Sequence, residues 1–120
     1  MNIEAIHKYC LSKKGSVEDY PFDDETLVFK VGGKIFALIP LEKIPLQINL
    51  KCDPEKAIEL REKYENVQPG WHMNKKHWNT IIVDGNIRWS DVKDWIDHSY
   101  DEVVKGLKKS EKNKLFKPDE

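Results

Sequence analysis

The sequence predicts a single α+β domain that combines helices with an antiparallel sheet. Two apolar runs flank Gly32 and Gly33, and paired glycines accept the positive φ angles of a two-residue hairpin turn. Apolar residues at helical spacing lie both before and after this hairpin. The 120 residues match the size of one ordinary domain, and the chain contains no internal repeat and no dividing linker.

The first segment has the pattern of an amphipathic helix. Ile3, Ile6 and Cys10 recur at helical spacing, and Asn2 lies where its side chain can cap the first turn. Gly15 follows two lysines and acts as a stop signal. We therefore expect this helix to end before Gly15.

Three strands are expected after a loop at residues 16–25, which contains a proline and a run of acidic residues. Residues 26–31 and 34–39 form the two arms of the hairpin. Residues 46–51 alternate apolar with polar side chains at period two, which is typical of a strand with one face in water. This segment is expected to be a third antiparallel strand.

A second helix and a further strand follow. Asp53 places a capping carboxylate before Pro54 at the first helical position, and the helix is expected to run to about Glu65. Residues 78–83 have the composition of another strand, which an Asp-Gly pair closes.

The last helical region permits two interpretations. Ser90 can cap one helix, and Ser99 with Glu102 forms the capping box of another. We therefore interpret the region as two helices with a bend near His98. Continuous helical periodicity also permits one kinked helix.

The domain is expected to cover residues 1–108. Residues 109–120 are rich in lysine, and we expect them to form a basic tail that frays. A second basic element near the end of the chain consists of Lys105, Lys108, Lys109, Lys112, Lys114 and Lys117. Alternatively, they complement a helix C-terminus and keep the end of the chain soluble.

The composition favours a soluble cytoplasmic protein with little overall charge. The 20 Lys and Arg residues nearly balance 21 Asp and Glu, so the net charge of −1 creates no whole-molecule attraction to nucleic acid or to an anionic membrane. No segment has the uninterrupted apolar run of a secretory signal or a membrane span. Cys10 and Cys52 are far apart in the sequence, so we expect free thiols in a reduced compartment, with at least one buried.

Residues 74–80 and 97–104 resemble segments of the MmcQ/YjbR family of small bacterial proteins. The glycine hairpin, the entry to the second helix at residues 50–54 and the strand that begins at Trp78 occur in the order that the family shows. The resemblance covers nearly the whole chain. It implies a CyaY-like two-layer sandwich, in which helices cover an antiparallel sheet, and an analogy with double-wing DNA-binding folds.

Metal binding is not expected. Frataxin-like relatives of such folds bind iron through an acidic first helix, but the first helix of this chain carries only Glu4. His72 and His77 are five residues apart, a spacing that matches none of the usual zinc motifs. We therefore expect neither a metal nor another cofactor.

The stretch at residues 66–83 contains no carboxylate and is the candidate functional segment. It combines lysines that can contact phosphates with aromatic rings that can stack on bases, and nucleic-acid binding needs this pairing of charge and ring. The basic tail adds further lysines to the candidate surface. The candidates for nucleic-acid binding are Trp71, His72, Lys75, Lys76, His77, Lys108 and Lys109.

Three other interpretations of these residues remain open. The aromatic side chains can be core anchors and the lysines simply solvated, because large aromatic residues are mostly buried. A protein-interaction module would use exposed Trp71, Met73 and Trp89 as an apolar contact surface. A small-molecule binder or an enzyme would use His72 or His77 in a cleft.

The motifs do not indicate catalysis. Asp97, His98 and Ser99 are the residue types of a hydrolytic triad, but consecutive residues cannot form the required chain of hydrogen bonds. Gly32 and Gly33 turn a hairpin rather than open a helix, so they do not form a phosphate-binding loop. The sequence therefore predicts a non-enzymatic binding domain, with DNA or RNA as the candidate partner and no membrane association.

Overall fold

Six strands and four helices make up the part of the chain that the structure describes, residues 2–70 and 73–116 of a computed structural model. The strands are β1 (Val17–Asp19), β2 (Thr26–Val31), β3 (Lys34–Pro40), β4 (Leu46–Lys51), β5 (Val67–Pro69) and β6 (Trp78–Val83). The helices are α1 (Ile3–Ser12), α2 (Pro54–Lys63), α3 (Trp89–Lys105) and α4 (Lys109–Phe116). The strands form one antiparallel sheet in the order β1-β2-β3-β4-β6-β5. The predicted α+β class is confirmed.

The sheet has two different faces, because residues paired in an antiparallel ladder point to the same side. Ile48 of β4 pairs with Ile81 of β6, and both lie in a buried core that includes side chains of α1 and α3. We call this side the helical face. The residues that alternate with them point to the other side, the open face, and none of them belongs to that core. The open face consists of Val17, Asp19, Thr26, Val28, Lys30, Ile35, Leu38, Pro40, Gln47, Asn49, Lys51, Gln68, Trp78, Thr80 and Ile82.

A β-bulge ties α3 to the centre of the sheet. The pairing of β2 with β3 shifts register after Phe29, which leaves Phe36 as the additional residue on β3. The carbonyl oxygen of Phe36 accepts a hydrogen bond from Ser99 Oγ at 2.5 Å. The same Oγ accepts a hydrogen bond from the backbone N–H of Lys51 at 2.8 Å. Ser99 is 0 % exposed, so one buried hydroxyl joins α3 to both β3 and β4.

The predicted N-caps of α1 and α2 and the predicted hairpin turn between β2 and β3 are confirmed. Asn2 Oδ1 accepts a hydrogen bond from the Ala5 N–H at 2.9 Å, and Asp53 Oδ2 caps the first turn of α2. Gly32 and Gly33 have φ angles of +56° and +79°, as the two-residue hairpin requires. The short strands β1 and β5 were not predicted, because three residues are too few to show an alternating pattern.

The interpretation of two helices with a bend near His98 is corrected, since α3 is one uninterrupted helix of 17 residues. Arg88 is its N-cap and makes no side-chain capping bond, so Ser90 lies inside the helix. Ser99 is not a cap either, because its hydroxyl is bonded to the sheet. Buried side chains at helical spacing pack on the core along the whole helix, which favours one helix over two. Neither α3 nor any other helix within residues 2–70 and 73–116 is long and apolar enough to cross a bilayer.

The end of the chain differs from the expected frayed tail. Lys109–Phe116 forms α4, and Leu115 packs against the core. A β-carbon at Gly15, whose φ is +74°, would collide with Leu115, so this glycine allows α4 to approach α1. Residues 117–120 lie outside the described part of the chain.

Both cysteines are buried and carry free thiols, as the sequence predicts. Burial raises the pKa of Cys10 to about 12 and the pKa of Cys52 to about 11. Both thiols are therefore protonated near neutral pH and are poor nucleophiles.

Replacing Ser99 with alanine tests the link between α3 and the sheet. Without the hydroxyl, the Phe36 carbonyl and the Lys51 N–H lose a buried partner, so Ser99→Ala should lower the free energy of unfolding by about 1–3 kcal/mol. Urea denaturation measures the change. Ser110→Ala removes an exposed hydroxyl from α4 and should change stability by less than about 0.5 kcal/mol. A Ser99→Ala protein as stable as this control would contradict the proposed role of Ser99.

Candidate functional site

Two adjoining clefts lie beside the sheet, one where the open face meets the hairpin turn and the end of α3, and the other on the open face. We call the first the lysine cleft, and it has a volume of about 640 Å³. It lies toward the β2–β3 hairpin turn and the end of α3. Its lining residues are Pro21, Phe22, Lys30, Gly33, Lys34, Ile35, Lys51, Met73, Trp78, Val103 and Gly106.

The second cleft, which we call the amide cleft, has a volume of about 550 Å³. Its floor is formed by open-face residues of β2, β3, β4 and β6, including the side-chain amides of Gln47 and Asn49. Volumes of this size are typical of ligand-binding sites. Its lining residues are Phe22, Thr26, Leu38, Pro40, Lys43, Gln47, Asn49, Met73 and Thr80.

Phe22 and Met73 line both clefts, so the two form one continuous groove. Phe22 comes from the connection between β1 and β2, and Met73 comes from the connection between β5 and β6. The side chain of Phe22 is unusually accessible for an aromatic residue, with 63 % of its surface exposed. An exposed ring beside an apolar cleft is a typical contact surface for a ligand.

The charged side chains that line the groove are all positive. Lys30, Lys34 and Lys51 line the lysine cleft and Lys43 lines the amide cleft, whereas no carboxylate lines either cleft among the described residues. Lys30 is partly neutralised, because its Nζ lies 3.0 Å from a carboxylate oxygen of Asp19. The other three lysines make no ion pair within residues 2–70 and 73–116. They are therefore available to an anionic ligand.

A negative region borders the far end of the groove. Glu25 and Glu42 lie beside each other where β2 begins and β3 ends, and their hydrogen bond raises the pKa of Glu25 above its usual value. A raised pKa of this kind indicates closely spaced carboxylates. The pair therefore places negative charge beside the amide-cleft end of the groove.

The described residues among those proposed from the sequence do not line the lysine cleft, but they lie close in sequence to residues that do. Lys75 and Lys76 are exposed on the β5–β6 connection, and His77 is half-buried next to Trp78, which lines the cleft. Trp71 and His72 lie outside the described residues.

The second basic element begins near the same cleft. Lys108 and Lys109 are exposed and follow closely after Gly106, which lines the lysine cleft together with Trp78. The fold therefore brings the β5–β6 connection and the start of α4 to one cleft, although they are about 30 residues apart in sequence.

The lysines inside the groove were missed by the sequence analysis. Lys30, Lys34 and Lys51 belong to three different strands, so only the folded sheet shows that they line one cleft. One signal was present, because the alternation of residues 46–51 places Gln47, Asn49 and Lys51 together on the solvent side of a strand.

Arg61 of α2 holds the β5–β6 connection in place. Its guanidinium donates hydrogen bonds to Asn79 Oδ1 at 2.7 Å, to the Trp78 carbonyl at 3.1 Å and to the Lys75 carbonyl. The Asn79 side chain is only 1 % exposed, so the guanidinium reaches into the edge of the core. This anchor fixes Trp78 and the neighbouring lysines beside the lysine cleft.

The residues of the alternative interpretations are separated in the structure. Trp89 packs edge-to-face on Tyr9 of α1 with ring centroids 5.7 Å apart, so it lies in the helical layer, whereas Met73 lies on the open side. His77 lines neither of the two clefts.

Asp97, His98 and Ser99 have separate partners and do not form a triad. Asp97 Oδ1 accepts a hydrogen bond from Tyr9 Oη at 2.6 Å, and Ser99 is bonded to the sheet backbone. His98 Nε2 accepts a hydrogen bond from the Asp53 N–H at 3.1 Å. Burial lowers the pKa of His98, which favours the neutral ring that this bond requires.

Comparison with known proteins places the chain in one group of bacterial sequences. A family model described as YjbR matches residues 11–102. YbdF of Escherichia coli O157:H7 is 41% identical over 97 residues, which cover 80% of this chain and 79% of YbdF. YjbR of Escherichia coli strain K12 is 33% identical over 116 residues, which cover 97% of this chain and 98% of YjbR. Both relatives are described as uncharacterised.

Solved structures share the fold. The crystal structure of a Deinococcus radiodurans protein matches with a TM-score of 0.90 at 39% identity, covering 98% of this chain and 90% of that one. A Pseudomonas syringae protein matches with a TM-score of 0.71 at 30% identity, covering 82% of this chain and 96% of that one. The one-sheet architecture is therefore common to these relatives.

Arg61→Lys tests the anchoring of the β5–β6 connection. A lysine cannot reproduce the planar guanidinium that donates to three acceptors, so we expect the free energy of unfolding to fall by about 1–3 kcal/mol. Thermal or urea denaturation measures this loss. The matched control is Arg88→Lys, because Arg88 is largely exposed in its pair with Asp91 and should contribute less than about 1 kcal/mol. Equal losses in the two variants would argue against an anchoring role for Arg61.

Proposed function

The chain belongs to the YjbR family, and on that premise we propose that it is a non-enzymatic domain whose open face binds single-stranded nucleic acid. The observation that carries the proposal is the composition of the groove, in which four lysines and no described carboxylate line two clefts around exposed Phe22. The overall net charge of −1 gives no general attraction to polyanions, so the attraction has to come from this local segregation.

The lysine cleft supplies the contacts to the phosphate backbone. Lys34 and Lys51 flank the cleft from neighbouring parts of the hairpin and β4, and neither has an ion-pair partner in the described chain. Lys75 and Lys76 extend the positive surface along the β5–β6 connection. Lysine contacts of this kind position a strand without selecting its sequence.

Aromatic side chains supply the contacts to bases. Phe22 exposes its ring at the junction of the two clefts, and Trp78 lines the lysine cleft next to Lys51, its partner in the sheet. Base stacking on such rings is tolerant of sequence and contributes on the order of 1–3 kcal/mol per base. Trp71, His72 and His77 are also proposed as base contacts.

A single strand fits the groove better than a duplex. Apolar side chains such as Ile35, Leu38 and Met73 alternate with the lysines inside the clefts. Stacked bases of a duplex cannot enter clefts of this kind, whereas the unstacked bases of a single strand can. The analogy of the family with double-wing folds supports nucleic acid as the ligand class. Lys108 and Lys109 are proposed as outer phosphate contacts, because they follow the cleft residue Gly106.

A binding role is favoured over catalysis by the state of the reactive side chains. Burial raises the pKa of both cysteines, and His98 is occupied by a backbone hydrogen bond. Within residues 2–70 and 73–116, no group of three or more His, Cys, Asp or Glu side chains could hold a metal ion. The groove itself contains no nucleophile beside a general base among its lining residues.

Charge reversal in the groove tests the proposed function. Lys34→Glu/Lys51→Glu should weaken binding of a 12-nucleotide single-stranded DNA at 50 mM salt by at least about tenfold, because two phosphate contacts become repulsive. Lys75→Glu/Lys76→Glu should produce a smaller loss. Fluorescence anisotropy of a labelled oligonucleotide measures the affinities. For about four phosphate contacts, wild-type affinity should also fall roughly fiftyfold between 50 and 200 mM salt.

The matched control for these charge changes is Lys8→Glu/Lys63→Glu, which makes the same charge change at exposed positions on α1 and α2. This variant should bind like the wild type apart from a small nonspecific decrease. Absence of any single-strand binding at 50 mM salt would exclude the proposed function. Equal losses in the groove and control variants would show that binding does not use the open face.

A further inference from the structure

The amide cleft contains a hydrogen-bonding group that the fold leaves unused. Gln47 is half-buried on the open face and makes no side-chain hydrogen bond within the described residues. The neighbouring polar side chains do have hydrogen-bond partners. Thr80 Oγ1 donates to Asn49 Oδ1 at 2.6 Å, and Asn49 Nδ2 donates to the Leu38 carbonyl at 3.3 Å. A half-buried amide without a partner offers one acceptor and two donors to a ligand.

The walls of the cleft are suited to a flat, uncharged group. Phe22 and Met73 approach from loops on the two sides of the groove, and Leu38 lies on the floor. An aromatic ring and a thioether both make favourable contacts with the face of another ring. Lys43 stands at this cleft and the lysine cleft lies on the other side of Phe22, so positive charge is present on both sides of the apolar space.

These features match the parts of one nucleotide within a strand. The planar base would occupy the space between Phe22 and Met73, and the phosphates on either side would reach lysines of the two clefts. A glutamine amide can form two hydrogen bonds with adenine, which presents a donor and an acceptor on one edge. The unpaired edges of the other bases also present a donor beside an acceptor, so the glutamine amide can bond to each of them.

We infer that the amide cleft receives one unstacked base of the bound strand, with Gln47 hydrogen-bonding to the edge of that base through its side-chain amide. This inference rests on the proposed single-strand binding of the open face. It adds a base-recognition site to a surface whose other proposed contacts are to the phosphates and to the flat faces of the bases.

Oligonucleotides with a single base test this inference. A 12-nucleotide chain made entirely of abasic sites measures backbone binding alone, and the same chain with one central adenine, thymine or cytosine adds one base. Wild-type protein should bind each chain that carries a base about tenfold more tightly than the all-abasic chain, because every base can stack in the cleft and offer its edge to Gln47. Fluorescence anisotropy at 50 mM salt gives all four affinities.

The variant Gln47→Leu should lose much of the advantage of a base while keeping the affinity for the all-abasic chain. Gln68→Leu makes the same substitution on the open face outside both clefts and should keep the advantage. Salt-dependent binding of the all-abasic chain with no gain from any base would overturn the base site and leave the proposed function intact. A gain from a base that persists undiminished in Gln47→Leu would overturn the role of Gln47. Failure to bind any of the four chains would overturn both proposals.

Discussion

The bond between Ser99 and the sheet backbone holds α3 against the covered side of the sheet. Its buried hydroxyl connects α3 to the bulged residue of β3 and to the end of β4, so α3 lies across the centre of one face. Side chains of α1 and α3 then complete a core with that face. The opposite face keeps its alternating polar and apolar residues, and every proposed ligand contact depends on its remaining uncovered.

The connections at the edge of the sheet convert the open face into a groove. The β1–β2 connection brings Phe22 to the boundary between the two clefts, and the β5–β6 connection brings Met73 to the same boundary. Arg61 fixes the second connection from the helical layer, so the groove is positioned by the same packing that stabilises the core. The groove therefore has positive charge along its lining and negative charge, from a pair of carboxylates, beside one end.

Local signals predicted those parts of the structure that depend on sequence neighbours. The glycine pair fixed the hairpin, and Asn2 and Asp53 marked two helix starts. Ser99 was misinterpreted as a cap because its true acceptor, the Phe36 carbonyl, is 63 residues away in sequence. For the same reason, no described residue among the nucleic-acid-binding candidates lines the groove. Three of the four lysines inside the groove come from different strands, whose register cannot be deduced from local patterns.

Mapping the ligand by NMR tests the location of the binding face most directly. Backbone amide spectra of the ¹⁵N-labelled protein would be recorded during titration with a 12-nucleotide single-stranded DNA at low salt. The account predicts that shifted amides cluster in β3, β4 and β6 and in the connections that carry Phe22 and Met73, while the outer surfaces of α1 and α2 stay unchanged. Shifts confined to the helical layer would contradict it.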